Sequence, residues 1–381
     1  MAYAAALSRH PLPTHAVGEV VGQVLEQLGE APDAAVVFVT AAYAGAMEDI
    51  AATIRTTLRP GALVGASASS VLANGEEVEQ EAAIALFALR GEPPIAARSV
   101  ALRSERDAAA WASSVDPSLV GEASTLVLLA DPFSFPVEAV VEDLVARCPG
   151  LSVLGGLASA ATGPLGNRLV ADDLVVDSGA VGLLLPPGVA AVAVVSQGFR
   201  PVGGPLVVTR SEGTMIDEIA GMPALDRVLR IADQASVEDR RAMARSLHLG
   251  IVLDERGAEP DRGDVLVRQV LGGDKDRRSI AVGAEVPVGT SVQFQVRDAA
   301  SADEDLRLLL ADARADAALV FTDVGRGREL FAEPDHDADV VAEALDGGPV
   351  AGMFCEGQVA PVHGRHALHS LSVGVLLLGG G

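Results

Sequence analysis

The chain has 381 residues, 49% of them apolar and only 3% aromatic, and a formal net charge of -24 at pH 7. That much apolar material argues against disorder of the whole chain, and the length points to two domains. The negative charge excludes the phosphate-neutralising surface that duplex nucleic acid or an anionic leaflet requires, so no nucleic acid and no membrane partner is expected.

The usage is Ala-, Gly- and Arg-rich with Lys275 as the one lysine, resembling a high-GC bacterial coding bias. Cys148 and Cys355 are too few and too far apart for a disulfide framework. No signal-peptide pattern opens the chain, and the longest apolar stretch, 181–195, is broken by Pro186-Pro187-Gly188 and is too short to span a bilayer. A cytoplasmic protein without cofactors is the expectation.

In chain order, residues 16–28 place Val17, Val20, Val21, Val24, Leu25 and Leu28 on one helical face. The apolar run Val36-Val37-Phe38-Val39 leads through a predicted helix over 47–58 to Leu63-Val64-Gly65-Ala66-Ser67, closing on Ile84-Ala85-Leu86-Phe87. The order then returns. After Ser99-Val100-Ala101-Leu102 and a predicted helix over 105–115 come Leu126-Val127-Leu128-Leu129, a helix over 137–148, Val153-Leu154-Gly155-Gly156 and Val181-Gly182-Leu183.

The third copy opens on Ser291-Val292-Gln293-Phe294-Gln295-Val296, which alternates as a half-buried strand does, followed by a helix over 302–314 with Ser301 as N-cap. It continues with Leu319-Val320-Phe321, a helix over 337–345, Val350-Ala351-Gly352-Met353 and Val373-Gly374-Val375. Each unit reads strand, helix, strand, helix, strand, strand, over 4–89, 98–185 and 290–378.

The intervening hundred residues differ in character. Residues 190–195 and 206–209 read as strands, 216–219 and 224–231 as helical, and 265–270 with 279–282 as a hairpin around Gly272-Gly273-Asp274. Adjacent strands within each unit imply an α/β (α+β) architecture of mixed β-sheets flanked by helices.

Several stretches resemble the FIST family, with its FIST N and FIST C sensory domains. They are Gln197-Gly198-Phe199-Arg200-Pro201-Val202-Gly203, the run 292–299 with Glu304-Asp305-Leu306, and 321–331 with Gly325-Arg326-Gly327. Residues 352–362 followed by Leu368-His369-Ser370 complete the set, and the Gly/Ser turns at 64–69 and 154–159 are similar too. The resemblance implies a FIST N-like domain over 1–205 and a FIST C-like domain over 206–381.

It also implies a small-ligand sensory module for signal transduction, recognising an amino acid or similar carboxylate metabolite. No kinase, cyclase, chemoreceptor or F-box segment fits in the remaining residues, so an unknown downstream signalling protein is expected as partner. Two positions depart from the family pattern. Asp323 or Val324 stands where a cysteine is usual, and Gln358 stands where a glutamate is usual, which points to a less cationic ligand if that acid meets an amine.

Candidate site residues cluster in the third unit. Thr322, Asp323, Arg326 and Arg328 follow a buried-looking strand, where open α/β sheets place ligand crevices. Arg326 suits a bidentate carboxylate, and Gly325 and Gly327 would let backbone N–H groups approach the same anion. Arginines of a solvated turn paired with Glu329 or Glu333 are the alternative.

Cys355 reads as a packed inert thiol or as a ligand-lining thiolate beside His369. In a regular strand Glu356 and Gln358 would flank it on the wrong faces for one pocket, unless Gly357 introduces a bulge. His363, His366 and His369 have even spacing, which gathers metal ligands on a helix but alternates faces on the loop and strand expected here. His369 is therefore read as a pocket residue.

Ser67 and Ser159 sit in equivalent Gly-rich turns, able to bind ligand or to satisfy their own backbone. The Gly272–Arg278 segment lacks Walker spacing and reads as a charged hairpin tip. The leading expectation is a binder of a small carboxylate metabolite. A cysteine- or metal-dependent enzyme and a protein-interaction adaptor remain open beside it.

Overall fold

The computed structural model describes residues 1–102, 115, 120, 124–253 and 264–380. Apart from Val115, the helix expected over 105–115 lies outside the described residues. The chain divides into two compact units, one of Met1–Val195, Arg307–Pro361 and His366–Gly381, the other of Ser196–Leu306 and Val362–Arg365. The smaller unit is thus inserted into the chain of the larger one.

The larger unit holds the three repeats. In the first, an edge strand Ala2–Ser8 is followed by helix Pro13–Leu28, first strand Ala34–Thr40, helix Met47–Thr57, middle strand Ala62–Ala68 and last strand Ile84–Arg90. The second has Arg98–Leu102, Thr125–Ala130, helix Val137–Arg147, Ser152–Leu157 and Ala180–Leu185 in the same roles. The third has Ala191–Ser196, Ala317–Asp323, helix His336–Ala344, Val350–Cys355 and Val373–Leu378. In every sheet the order is edge, last, first, middle, with the first and middle strands parallel.

The third edge strand is Ala191–Ser196, not the strand at Ser291–Arg297 that its alternation suggested. Ser291–Arg297 pairs instead with Phe199–Pro201, Leu206–Glu212 and His248–Val252. The helix that follows runs from Ala299 to Leu310, and Asp298, not Ser301, accepts from a first-turn amide, the Ser301 N–H, at 2.9 Å.

Between the middle and last strands each repeat carries a hairpin that leaves its own sheet. Ser70–Ala73 and Glu76–Glu79 join the sheet of the third repeat through Val350–Cys355. Leu169–Ala171 and Leu174–Val176 join the first repeat through Ala62–Ala68. Gln358–Val362 and Arg365–His369 join the second through Ser152–Leu157. Every middle strand thereby finds a partner for its otherwise open side, and the exchange closes in a ring.

The turns that make these hairpins are two residues long. Asn74-Gly75 and His363-Gly364 both have positive φ, the backbone of the tight turn that matches strand twist. Side chains then pin the hairpins to their hosts. Asn74 Oδ1 accepts from the Val350 N–H at 3.1 Å, and Asp172 Oδ1 from the Leu63 N–H at 2.9 Å. In the third hairpin the place of Asn74 falls to Pro361, and His366 Nε2 accepts from the Val153 N–H at 2.9 Å.

One glycine per repeat makes the close packing of first on middle strand possible. A Cβ at Gly65 would lie 2.4 Å from the Val37 carbonyl oxygen, at Gly155 1.8 Å from that of Leu128, and at Gly352 2.0 Å from that of Val320. These three pairs are the same register position of the three sheets.

The strands are apolar throughout because both faces are covered. Along Ala34–Thr40, Ala34, Val36 and Phe38 face a core shared by all three repeats, while Ala35, Val37 and Val39 face the repeat's own helices. The shared core brings Phe38 edge-on to Phe321 at 6.0 Å and includes Leu129, Leu154, Met353 and Cys355.

The smaller unit is an antiparallel barrel. Leu206–Glu212, Met215–Ile219, Ser279–Val282, Val265–Asp274, His248–Val252 and Ser291–Arg297 pair in that order, and the last returns to the first. Residues 216–219, read as helical, are strand here because Ile216 and Ile219 face the barrel core with Val208 and Ile280. The helix read at 224–231 forms over Ala224–Gln234, and strands Val265–Asp274 and Ser279–Val282 form a hairpin, but its turn is 275–278, with Gly272, Gly273 and Asp274 paired inside the first strand.

Gly155→Ala should lower stability by about 2 kcal/mol or more, since backbone oxygen cannot move aside as a side chain can. Gly163→Ala, where a Cβ meets nothing within 4 Å, should be near neutral. Urea midpoints of the two variants compare them directly.

Candidate functional site

Two polar clusters stand at the carboxyl end of the third repeat's first strand, on its two faces. Alternation along Ala317–Asp323 sends Phe321 to the shared core and Thr322 to the opposite face, so neighbouring residues serve different clusters.

The first cluster is built on Arg326, which is fully buried. Its Nε and Nη2 donate to Asp337 Oδ2 and Oδ1 at 2.6 and 2.7 Å, and the Thr322 hydroxyl donates to Asp337 Oδ2 at 2.5 Å. The guanidinium carbon lies 5.2 Å from the Phe331 ring centre, and the His336 ring stacks on Phe331. Burial alone would raise the Asp337 carboxyl, but the charge and hydrogen bonds of Arg326, with His336 and Thr322, hold it well below the usual carboxylate range.

The carboxylate that Arg326 grips therefore belongs to this chain. The same holds for two backbone amides beside it. The Gly325 N–H donates to Asp323 Oδ1 at 2.9 Å, and the Arg328 N–H to Glu79 Oε1 at 3.0 Å. Gly327 has φ +55 and its Cβ would fall 2.9 Å from both Glu79 and Phe354, so a glycine is required there. Arg328 itself is exposed, with Nε 3.9 Å from Glu79.

Glu77, on the hairpin lent by the first repeat, completes this cluster. Its Oε1 accepts from the N–H groups of Asp337 and Ala338 at 3.0 and 3.1 Å, capping helix His336–Ala344 from another repeat. Its Oε2 has no hydrogen-bond partner among the described residues. Burial, then the charge of Asp337, pushes the carboxyl up to about 8.

The second cluster gathers around Asp323 on the inner face. Asp323 Oδ2 accepts from the Leu371 N–H at 2.8 Å and from Gln358 Nε2 at 3.4 Å, and Gln358 Oε1 accepts from the Ser372 hydroxyl at 2.5 Å. Asp323 lies directly across from Cys355 in the strand pair. Exposed Glu356 is close enough that, after burial, the charge of Asp323 is what pushes its carboxyl up. Strand Val350–Cys355 ends where the chain turns at Glu356-Gly357, so no bulge within a continuous strand is needed to bring Asp323, Cys355, Glu356 and Gln358 together.

Cys355 is a packed thiol. Its Sγ sits against Gly156, where an added Cβ would be 2.2 Å away, and burial, then the charges of Asp323 and Glu356, pushes it well up. Ala68 and Ala158 hold the same register position in the other repeats. His369 is buried, with Nε2 3.2 Å from the Ala360 carbonyl.

The even histidine spacing disperses. His363 Nε2 meets Asp264 at 2.8 Å, His366 meets Val153, and His369 meets Ala360. No group of three His, Cys, Asp or Glu side chains suited to a metal forms among the described residues.

The serines bind backbone. Ser67 Oγ accepts from the Arg168 N–H at 2.8 Å. Ser159 Oγ donates to the Phe354 carbonyl at 2.6 Å and accepts from the Ser69 N–H at 2.9 Å, so one hydroxyl joins all three repeats. Sequence reading passed over Glu77 and Asp337. The available signal was Asn74-Gly75, a hairpin turn that places Glu77 on a strand, but its host sheet was not readable.

Arg326→Ala should cost about 3–5 kcal/mol, because it leaves the Asp337 carboxylate buried and unpaired. Glu77→Gln tests the cap. A carboxyl raised to about 8 holds a proton that the unfolded chain releases near 4.5, so its contribution to stability falls as pH rises between those values. Glu77→Gln should flatten that slope, by up to about 1.4 kcal/mol per pH unit, and gain stability relative to wild type above pH 8. Denaturant midpoints from pH 5 to 9 read this difference.

Comparison with known proteins agrees with the early resemblance. The FIST N domain family matches residues 33–222 and the FIST C domain family residues 224–361. An uncharacterized protein of Mycobacterium bovis is 38% identical over 375 residues, covering 96% of each chain. An uncharacterized protein of Mycobacterium tuberculosis is 37% identical over 379 residues, covering 97% of this chain and 98% of its own. No helix among the described residues is long and apolar enough to cross a membrane. The chain belongs to the FIST family, whose domains are sensory, small-ligand-binding modules of signal transduction.

Proposed function

We propose that this protein senses an amine-bearing metabolite, an amino acid foremost, at the Asp323 cluster of the third repeat, and passes its occupancy to a separate signalling protein. The observation that carries this reading is the pairing of Asp323 with Glu356. Asp323 is held in place by the Gly325 and Leu371 amides, and Glu356 stands exposed beside it with its carboxyl pushed up by burial and by that neighbour. An ammonium group placed between two such carboxylates relieves their repulsion.

The ligand end recognised here differs from the carboxylate expected of Arg326, whose guanidinium is engaged by Asp337. Leu371 supports the idea of a prepared site. Its φ of +58 is strained for a leucine, and that backbone turns its N–H onto Asp323. Gln358 contributes an amide where the family pattern tends to an acid, which keeps the cluster at two carboxylates. Enzymatic use of Cys355 has little support from a thiol that burial keeps protonated.

The test is calorimetric titration with L-amino acids and primary amines, each beside the matching hydroxy compound. An amine-bearing ligand should bind where its hydroxy counterpart does not, and at a hundred times its Kd should add about 2.7 kcal/mol of stability. Affinity should rise as pH rises through the raised Glu356 titration, since ionised Glu356 attracts the ammonium. Glu356→Gln should weaken binding about tenfold, or about 1.4 kcal/mol. Failure of every amine, or binding unchanged in both Glu356→Gln and Asp323→Asn, overturns the reading.

A further inference from the structure

The ring of repeats brings three equivalent positions together. One step beyond Ala68, Ala158 and Cys355, which share a register position in the three sheets, stand Ser69, Ser159 and Glu356. Ser159 marks the meeting point. Its Oγ accepts from the Ser69 N–H at 2.9 Å, donates to the Phe354 carbonyl at 2.6 Å and lies 3.3 Å from the Ser69 hydroxyl. The Glu356 N–H donates to the Leu157 carbonyl at 3.1 Å, which ties the third chain end to the second. Because the hairpin exchange is cyclic, equivalent positions surround a common axis at similar distances. Ser69 and Ser159 touch across it, and Glu356 is the third member of the same set.

The three side chains differ in what they have left to offer. Ser159 is buried and its proton is spent on the Phe354 carbonyl. Ser69 is half-buried, and among the described residues its hydroxyl has only the long contact with Ser159 Oγ. A hydroxyl carries one donor and two lone pairs, so Ser69 has bonds to give. Glu356 is exposed and feels the charge of Asp323. The junction thus presents an acid pair on one side and a neutral donor and acceptor on the other.

We infer that the ligand is an amine that also carries a hydroxyl group, its ammonium held by Glu356 and Asp323 and its hydroxyl by Ser69. The inference rests on the amine reading above and adds to it the class of ligand. Charge decides which group meets Ser69. A carboxylate there would bring a third negative charge beside two acids, and a second ammonium would find no acid of its own. An apolar group would leave the Ser69 hydroxyl facing it with its bonds unmade. A ligand hydroxyl donates to Ser69, accepts from it and adds no charge.

Calorimetric titration of the full chain with matched pairs tests this: L-serine beside L-alanine, L-threonine beside L-2-aminobutyrate, and ethanolamine beside ethylamine. The members of each pair differ by one hydroxyl. In at least one pair the hydroxylated amine should bind about tenfold more tightly, the worth of a hydrogen bond to a neutral partner. Ser69→Ala should remove that preference by weakening the hydroxylated member alone. The variant keeps the Ser69 N–H bond to Ser159, so its unliganded melting temperature should match wild type. Glu356→Gln should weaken both members of the pair alike and leave their ratio standing. The inference fails if amines bind with no preference for the hydroxyl in any pair, or if Ser69→Ala retains the preference, and the amine reading survives either result. If no amine binds at all, both fall together.

Discussion

Each middle strand of the larger unit would be an open sheet edge if its repeat stood alone, with a row of N–H and C=O groups unsatisfied. Each two-stranded hairpin, taken alone, is too small to hold together in water. The cyclic exchange of hairpins removes both deficits at once, giving every middle strand a neighbour and every hairpin a sheet. No repeat completes its sheet from its own residues, and the shared core around Phe38, Leu129 and Phe321 is assembled only when all three are present.

The buried charges follow from the exchange. The hairpin lent by the first repeat carries Glu77 to the start of helix His336–Ala344, where unsatisfied amides need an acceptor. That helix brings Asp337, and a buried carboxylate requires a cation with matching geometry, which Arg326 supplies. An Arg/Gly turn that reads as an anion trap thus closes on the protein's own acids. The same end of the other repeats has gone different ways. At the register position of Asp323, Thr40 accepts from the Ala83 N–H, and Asp131 accepts from Ser134 and Asn167. Where exposed Glu356 follows Cys355, the other two repeats have Ser69 and Ser159.

The exchange also explains why two features of the sequence misdirect. Ser291–Arg297 alternates as an edge strand should, but its polar residues Gln293 and Gln295 are buried within the barrel unit, where Gln293 donates to the Gly203 carbonyl. The repeat's real edge strand comes a hundred residues earlier, because the barrel is inserted between it and its helix. The histidines at 363, 366 and 369 share a spacing but not a role, since the hairpin passes from a turn into a strand between them.

The sequence by itself determined the threefold repetition, the alternation of helix and strand, and the family. Those are properties of local periodicity and short motifs, set by which faces a segment must bury. Only the tertiary structure decided that Arg326 meets Asp337, that Glu77 caps a helix of another repeat, and that Cys355 packs on Gly156. The physical reason is that hydrogen bonding between strands is the same for any backbone. A hairpin such as Asn74-Gly75 announces itself, but the sheet it joins is chosen by the closing of the whole ring.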